Sequence, residues 1–138
     1  MEPLDTNVLV GHFTGSPASQ ASLATKLLKS AAPDAYLLTH VHLSELVWVL
    51  ETSTYKASRL AIVSALEATL ALSAVHVDDE SLIRTAIRLY GHGGMDWTDA
   101  YLVATAIERQ ADAVISFDRF DARLAGTGVK RVDPRSRA

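Results

Sequence analysis

Short apolar segments alternate with longer amphipathic segments along almost the whole chain, and this alternation limits the possible folds more than any other feature. An apolar run opens the chain, and four further runs are predicted as strands at residues 35–40, 73–79, 111–118 and 128–133. Between them, apolar residues recur every three or four positions, which predicts helices. Strands that alternate with helices form a parallel sheet covered on both faces. The sequence therefore predicts an α/β/α sandwich with a central parallel sheet of about five strands.

The length and composition narrow the class of protein further. A chain of 138 residues fits one domain with a single core, so residues 1–138 are predicted as a single domain. There is no cysteine, which excludes disulfides, thiolate metal sites and cysteine nucleophiles, and favours a reducing, cytoplasmic location. No apolar run approaches the roughly 18 residues of a membrane helix, and the N-terminal residues do not resemble a signal peptide. The net charge of −3 disfavours a generally basic surface but leaves room for local arginine clusters.

Four carboxylates fall where open α/β sheets bind their ligands, beyond the carboxyl ends of the strands. Asp5 is predicted to end the first strand, and Asp118 ends the fourth. Glu45 lies in the first turns of the helix after the second strand, and Asp99 lies near the start of the helix before the fourth. If the first and fourth strands are neighbours, all four carboxylates meet over one crevice.

Each acid also has a purely structural interpretation. Asp5 could cap the helix that follows it, and Asp118 could cap a turn at 119–124. In MDWTDAYLVATA, Asp96 and Asp99 fit the N-cap and N3 positions of a capping box. The sequence leaves these alternatives open.

A metal ion would explain why acids point toward apolar surroundings. Asp96 and Asp99 share a helix face with Val103, and Glu45 is flanked by Leu43 and other apolar residues. A charge in such a place either reaches solvent or meets a partner. Carboxylates gathered without a cation repel each other, and hard oxygen ligands select Mg²⁺ or Mn²⁺ over zinc. A divalent metal site is the favoured interpretation.

The order of these acids resembles that of the PIN-domain family, and in particular its VapC-type ribonuclease toxins. LDTNVLV at 4–10 resembles the opening strand of that family, with Asp5 as the first acid and Asn7 as its accompanying polar residue. LSELVWVL at 43–50 carries Glu45 as the second acid.

Two further motifs complete the resemblance, which spans nearly the whole chain. MDWTDAYLVATA resembles the third motif, with Asp99 as the usual ligand and Asp96 as an extra acid seen in one subgroup. ISFDRFD at 115–121 supplies Asp118, and Ser116 fills the small hydroxyl position two residues earlier. Each motif alone is a weak indication of the family, whereas four motifs in this order and at this spacing are a specific one.

The resemblance implies a fold, an activity and partners. The family's sheet order is 3-2-1-4-5, which places the first and fourth strands side by side. Its members cleave RNA with Mg²⁺ or Mn²⁺ and leave a 5′-phosphate and a 3′-hydroxyl. The expected partners are the RNA substrate, a second copy of the chain in a homodimer, and a small VapB-like antitoxin protein.

The same resemblance implies roles for individual residues. Asp5, Asp99 and Asp118 are expected to contact metal, and Glu45 to bind metal or to take a proton from the attacking water. Asp96 is the fifth candidate ligand.

Other residues are expected to support these acids or the RNA. Asn7 and Ser116 would orient the carboxylates by hydrogen bonds without contacting the metal themselves. Arg119 and Arg123, beside Asp118, are the favoured RNA-binding cations. Additional candidates near the end of the chain are Lys130, Arg131, Arg135 and Arg137.

Other interpretations fit the sequence less well. A haloacid-dehalogenase-like phosphotransferase would use Asp5 as nucleophile, but Asn7 stands where its second acid is needed. A PIN-like scaffold that has lost catalysis and binds a partner is the non-enzymatic alternative. HVH at 40–42 would place two histidines on one face of a strand, but no third ligand completes a zinc site. GHGG at 91–94 lacks the spacing of a phosphate loop and is interpreted as a helix stop.

Overall fold

The computed structural model describes residues 1–52 and 54–137. Its contacts divide the chain into two compact units, Met1–Glu80 and Ser81–Ala138, and each unit is described by itself. None of the helices in the described residues is long and apolar enough to cross a membrane. The single domain over residues 1–138 stays a prediction.

The first unit combines a small parallel sheet with four helices. Strands β1, β2 and β3 pair in the order β1-β2-β3, with Glu2 opposite Tyr36 and Tyr36 opposite Val75. The elements are β1 (Glu2–Pro3), α1 (Thr6–Thr14), α2 (Ala18–Ser30), β2 (Tyr36–Leu37), α3 (His40–Glu51), α4 (Arg59–Ala71) and β3 (Val75–His76).

The second unit has two long helices and a second parallel pair of strands. Ala113 of β4 lies opposite Lys130 of β5. The elements are α5 (Glu80–Gly91), α6 (Trp97–Glu108), β4 (Ala113–Ile115), a first 3₁₀ helix (Asp121–Leu124), β5 (Lys130–Val132) and a second 3₁₀ helix (Pro134–Arg137).

Four of the predicted strands are confirmed, but the opening motif is helical. Residues 4–10 were predicted as strand from the resemblance, whereas β1 ends at Pro3 and α1 begins at Thr6. Asp5 is the N-cap of α1, and Gly15 ends the helix in a left-handed conformation with φ of 72°. A cap and a glycine stop enclose the apolar residues between them, so they form a helix rather than a strand.

The prediction of one five-stranded central sheet is wrong for residues 1–52 and 54–137, whose strands form a three-stranded and a two-stranded sheet. The neighbours within each sheet do agree with the implied order. A physical reason lies in β1, where the N–H groups of Glu2 and Leu4 both donate to the β2 side, at 2.9 and 2.8 Å. The amide between them belongs to Pro3, which has no N–H to offer the other edge.

The core of the first unit holds the start of α1 against α3. Thr6 is buried, and its hydroxyl donates to the carbonyl oxygen of His42 at 2.8 Å. Fully buried apolar side chains surround this contact, among them Leu9, Leu43 and Leu46. The chain segment around Asp5 is therefore anchored by a buried hydrogen bond and by apolar packing.

The core of the second unit fixes the start of α6. Trp97 is 2% exposed and packs edge-on against Tyr90 of α5, with ring centroids 5.9 Å apart. The turn between these helices needs glycine at two places. A Cβ on Gly93 would lie 2.6 Å from the carbonyl oxygen of Leu89, and Gly94 has φ of 67°. The helix stop predicted for GHGG is confirmed, and it sets where α6 begins.

Candidate functional site

The first turn of α6 carries two carboxylates on either side of a buried anchor. Asp96 is the N-cap, Trp97 begins the helix, and Asp99 occupies the third helical position. The predicted positions of a capping pair are thus confirmed. The capping hydrogen bond itself is not observed, because the Asp96 side chain makes no such bond within residues 54–137. Asp96 is exposed, and its charge remains free for other interactions.

Asp99 is half-buried, and its surroundings oppose ionisation. Burial raises the pKa of Asp99, the negative charges of Asp96 and Asp118 raise it further, and the guanidinium of Arg123 lowers it. The charges of two other predicted site acids and of one predicted RNA-binding arginine therefore act on Asp99 within the second unit.

Asp118 is placed by a turn that follows β4. Its backbone N–H donates to the hydroxyl of Ser116 at 3.0 Å, so Ser116 fixes the main chain at Asp118. The alternative that Asp118 caps the next turn is wrong, because the first 3₁₀ helix has Phe120 at its N-cap. The guanidinium of Arg123 donates to the carbonyl oxygen of Gly94 at 2.7 Å, which joins this segment to the turn before α6.

Asp5 and Asn7 lie together at the start of α1 in the first unit. The carboxylate of Asp5 accepts a hydrogen bond from the backbone N–H of Asn7 at 2.9 Å. The capping interpretation of Asp5 is therefore confirmed. Its carboxylate is exposed and has oxygen lone pairs left for another ligand. An orienting role for the Asn7 side chain stays a prediction.

Glu45 lies on the outer face of α3. The side chains of Leu43, Leu46 and Val47 are buried, whereas Glu45 is exposed. Its charge reaches solvent, which is one of the two possibilities that the sequence left open. No hydrogen bond or ion pair joins Glu45 to Asp5 among the described residues.

The donor chemistry suits a hard divalent cation, but no complete set of ligands is preformed. Within residues 1–52 and 54–137, no group of three His, Cys, Asp or Glu side chains is arranged to hold a metal. In the second unit, Asp99 has the carboxylates of Asp96 and Asp118 and the guanidinium of Arg123 as charged neighbours, and the repulsion from the two carboxylates is the conflict that a cation would relieve.

The predicted cations differ in how far they are already engaged. Arg119 is exposed. Arg131 is largely buried, with its side chain 13% exposed, and forms ion pairs with Asp121 at 3.1 Å and Asp133 at 3.7 Å. It also donates to the carbonyl oxygen of Ser116 at 3.1 Å. Arg131 therefore stabilises this unit, and its assignment as an RNA-binding cation stays a prediction.

The HVH segment lies in helix α3 and not in a strand. Residues two apart on a helix point in different directions, so the two histidines do not share a face. His40 hydrogen-bonds the carbonyl oxygen of Asp78 at 2.6 Å, and His42 bonds the hydroxyl of Thr39 at 2.8 Å. Both rings have structural partners.

One pair of residues beside Asp118 was missed in the sequence. Phe117 is 62% exposed, and the Cζ atom of Arg135 lies 5.2 Å from its ring centroid. An aromatic residue between a strand and a polar turn was the available signal. Its contact with Arg135, eighteen positions later, has no sequence pattern.

Comparison with known proteins gives a family and likenesses to solved structures. The sequence model described as PIN domain matches residues 4–126. Among solved structures, a toxin–antitoxin complex from Klebsiella pneumoniae is 19% identical, with 94% of this chain and 95% of that chain covered and a TM-score of 0.35. A likeness with so low a TM-score supports no conclusion about this chain. No protein among the curated ones matches the chain.

Proposed function

The chain belongs to the PIN-domain family, whose match covers residues 4–126, and from this premise we propose that it is a metal-dependent endoribonuclease. PIN domains are generally nucleases. The observation that carries the proposal is the environment of Asp99, where burial and the negative charges of Asp96 and Asp118 raise its pKa and disfavour its ionised form. Carboxylates that are held close together although their charges repel are typical of a functional site.

The proposed metal ligands are the acids of the four motifs. In the second unit these are Asp99 and Asp118, with Asp96 as an additional ligand. In the first unit they are Asp5 and Glu45. When bound, Mg²⁺ or Mn²⁺ would neutralise the carboxylates, lower the pKa of a water and offset charge on the phosphate.

The side chains of the protein supply the remaining steps of hydrolysis. Glu45 is the proposed acceptor of a proton from the attacking water. The water oxygen bonds to phosphorus, the bond between phosphorus and the 3′ oxygen breaks, and that oxygen takes a proton from solvent, to which Glu45 returns the proton it accepted. The products are a 5′-phosphate and a 3′-hydroxyl. Arg119 and Arg123 are proposed to attract the RNA backbone, while Asn7 and Ser116 hold the acids in place.

We also propose that this nuclease acts in the cytoplasm as the toxin of a VapBC-like pair, with a homodimeric state and a small antitoxin partner. Exposed apolar side chains in the first unit support protein partners. Val41 and Trp48 lie on one outer face of α3, and Leu60 is exposed on α4. Leu23 and Leu27 line an open cleft of about 620 Å³ together with residues of α1 and α2. Light scattering of the purified protein, alone and with a small protein encoded beside it, tests both assemblies.

The nuclease is tested by sequencing new 5′-phosphate ends in total RNA incubated with the purified protein. Parallel reactions contain Mn²⁺, Mg²⁺ or EDTA. The variants are Asp99→Asn and Asp118→Asn, with Asp112→Asn as a matched control at an exposed acid before β4. Discrete ends that require metal, persist in the control and disappear in both variants are the expected result.

Other outcomes separate the alternatives. Ends that persist in Asp99→Asn and disappear in Asp96→Asn would assign the third acid to Asp96. Absence of cleavage by a protein that still binds Mn²⁺ would favour the inactive scaffold. Membership of the PIN family already favours the nuclease over the phosphotransferase.

A further inference from the structure

Phe117 and Arg135 form a stacked pair next to one of the proposed catalytic acids. Phe117 lies between Ser116 and Asp118, and its ring stays 62% exposed with the guanidinium of Arg135 over it. A single exposed apolar residue is ordinary on a protein surface. A ring held beside a cation at 5.2 Å is a specific arrangement, because the positive charge is attracted to the ring face.

The arginine is fixed from two sides by one carboxylate. Asp133 accepts a hydrogen bond from the guanidinium of Arg135 at 2.9 Å and another from its backbone N–H at 2.8 Å. The Asp133 side chain is largely sheltered, whereas the Arg135 side chain is open to solvent. The guanidinium is therefore held in place while part of its surface remains available.

The main chain on both sides of Phe117 is also fixed. The carbonyl oxygen of Ser116 accepts from Arg131 at 3.1 Å, and the N–H of Asp118 donates to the Ser116 hydroxyl at 3.0 Å. The ring therefore projects from a rigid segment. A rigid platform loses little conformational entropy when a ligand stacks on it.

We propose that Phe117 and Arg135 form a subsite that stacks one unpaired base of the RNA strand beside the proposed cleavage position at Asp118. This inference rests on the proposed function and adds the two residues that hold one base of the strand beside Asp118. Unpaired bases stack on aromatic rings and on guanidinium planes, and every base has a face to stack. The positive charge of Arg135 also suits the neighbouring phosphates.

The subsite predicts what kind of selectivity it confers. Bases within a duplex are already stacked on each other, so the pair is expected to favour unpaired RNA. Stacking tolerates all four bases, so Phe117 contributes affinity and placement of the strand rather than a reading of sequence.

Equilibrium binding in EDTA tests the subsite without cleavage. The probe is a short single-stranded RNA that carries the fluorescent base 2-aminopurine, whose emission falls on stacking. Phe117→Ala is expected to weaken binding roughly 5- to 100-fold and to lose the quenching, and Phe117→Trp is expected to retain both. Arg135→Ala should weaken binding as well. Arg109→Ala, at another exposed position, is the matched control.

A second probe isolates the stacked base. On an RNA of the same length without bases, the wild-type protein and Phe117→Ala should bind equally, because no ring contact remains to be lost. Unchanged affinity of Phe117→Ala for the base-containing RNA would overturn the subsite, even with metal-dependent cleavage established. A loss on both RNAs would also overturn it. If the wild-type protein does not cleave RNA but Phe117→Ala still loses the quenching that the wild type shows, the nuclease proposal is overturned and the base subsite is retained.

Discussion

The carboxylate of Asp5 accepts a hydrogen bond from the backbone N–H of Asn7 at 2.9 Å. This bond makes Asp5 the N-cap of α1, with an extended backbone at φ of −75° and ψ of 144°. Asp5 is also the first acid of the resemblance to PIN-domain nucleases. One residue thus has a demonstrated structural contact and a proposed catalytic one, and substitution can separate them.

Asp5→Asn and Asp5→Ala should differ in stability but not in activity. Asparagine caps helices about as well as aspartate, so Asp5→Asn should leave the free energy of unfolding nearly unchanged, whereas Asp5→Ala should lower it by about 0.5–2 kcal/mol. Both should abolish RNA cleavage, since neither offers a carboxylate. Urea denaturation and the cleavage assay measure the two effects. Cleavage by Asp5→Asn at the wild-type rate would restrict Asp5 to its capping role.

Asp99→Asn should stabilise the protein at neutral pH in the absence of divalent metal. Burial and the charges of Asp96 and Asp118 raise the pKa of Asp99 in the folded state above its ordinary value. The stability that Asp99 contributes is thus fully present below its ordinary pKa and is lost as pH rises through the raised pKa. Asparagine stays neutral and avoids this loss. Thermal unfolding in EDTA from pH 3 to 8 measures the difference.

The pH dependence itself supplies the control for Asp99. The excess stability of Asp99→Asn should shrink as the pH falls through the raised pKa of Asp99 and be lost below about 4, where an unperturbed aspartate is also protonated. Added Mn²⁺ should then raise the melting temperature of the wild-type protein more than that of the variant. A variant that is less stable at neutral pH in EDTA would contradict the repulsion among these acids.

Glu45→Gln should affect activity alone. Glu45 is exposed on α3, so its substitution should change the free energy of unfolding by no more than about 0.5 kcal/mol. If it takes the proton from water, cleavage should fall on the order of 100-fold or more. Glu67→Gln, at an exposed acid on α4, is the matched control. Equal cleavage by both variants would remove Glu45 from the proposed mechanism.

The sequence predicted what depends on local spacing. Apolar periodicity predicted helices α2 to α6, and short apolar runs predicted four of the strands. The spacing of Asp96 and Asp99 predicted their places at the start of α6. The prediction of a strand at residues 4–10 is wrong, because the N-cap at Asp5 and the stop at Gly15 enclose a helix whatever the apolar character of the residues between them. The sequence left open whether the charge of Glu45 reaches solvent or meets a partner, because flanking apolar residues do not tell on which side of a helix a charge lies.

Contacts between distant residues were the other limit of sequence reasoning. Arginines near the end of the chain look alike in sequence, and only their partners distinguish them. Arg131 is paired with Asp121 and Asp133, whereas Arg135 leans over Phe117. Such pairings depend on how the loops after β4 and β5 meet, and no periodicity encodes that.

Arg131→Ala should destabilise the second unit, unlike substitution of an exposed arginine. The variant loses two ion pairs and the bond to the carbonyl oxygen of Ser116, in a place where the arginine is largely buried. Hydrogen bonds to charged groups of this kind suggest a loss of about 1–3 kcal/mol in the free energy of unfolding. Arg109→Ala, with an exposed side chain, should change it by no more than about 0.5 kcal/mol. Urea denaturation measures both. Arg119→Ala is expected to lose RNA affinity without losing stability. If Arg131→Ala behaved in the same way, the guanidinium of Arg131 would belong to the RNA-binding surface.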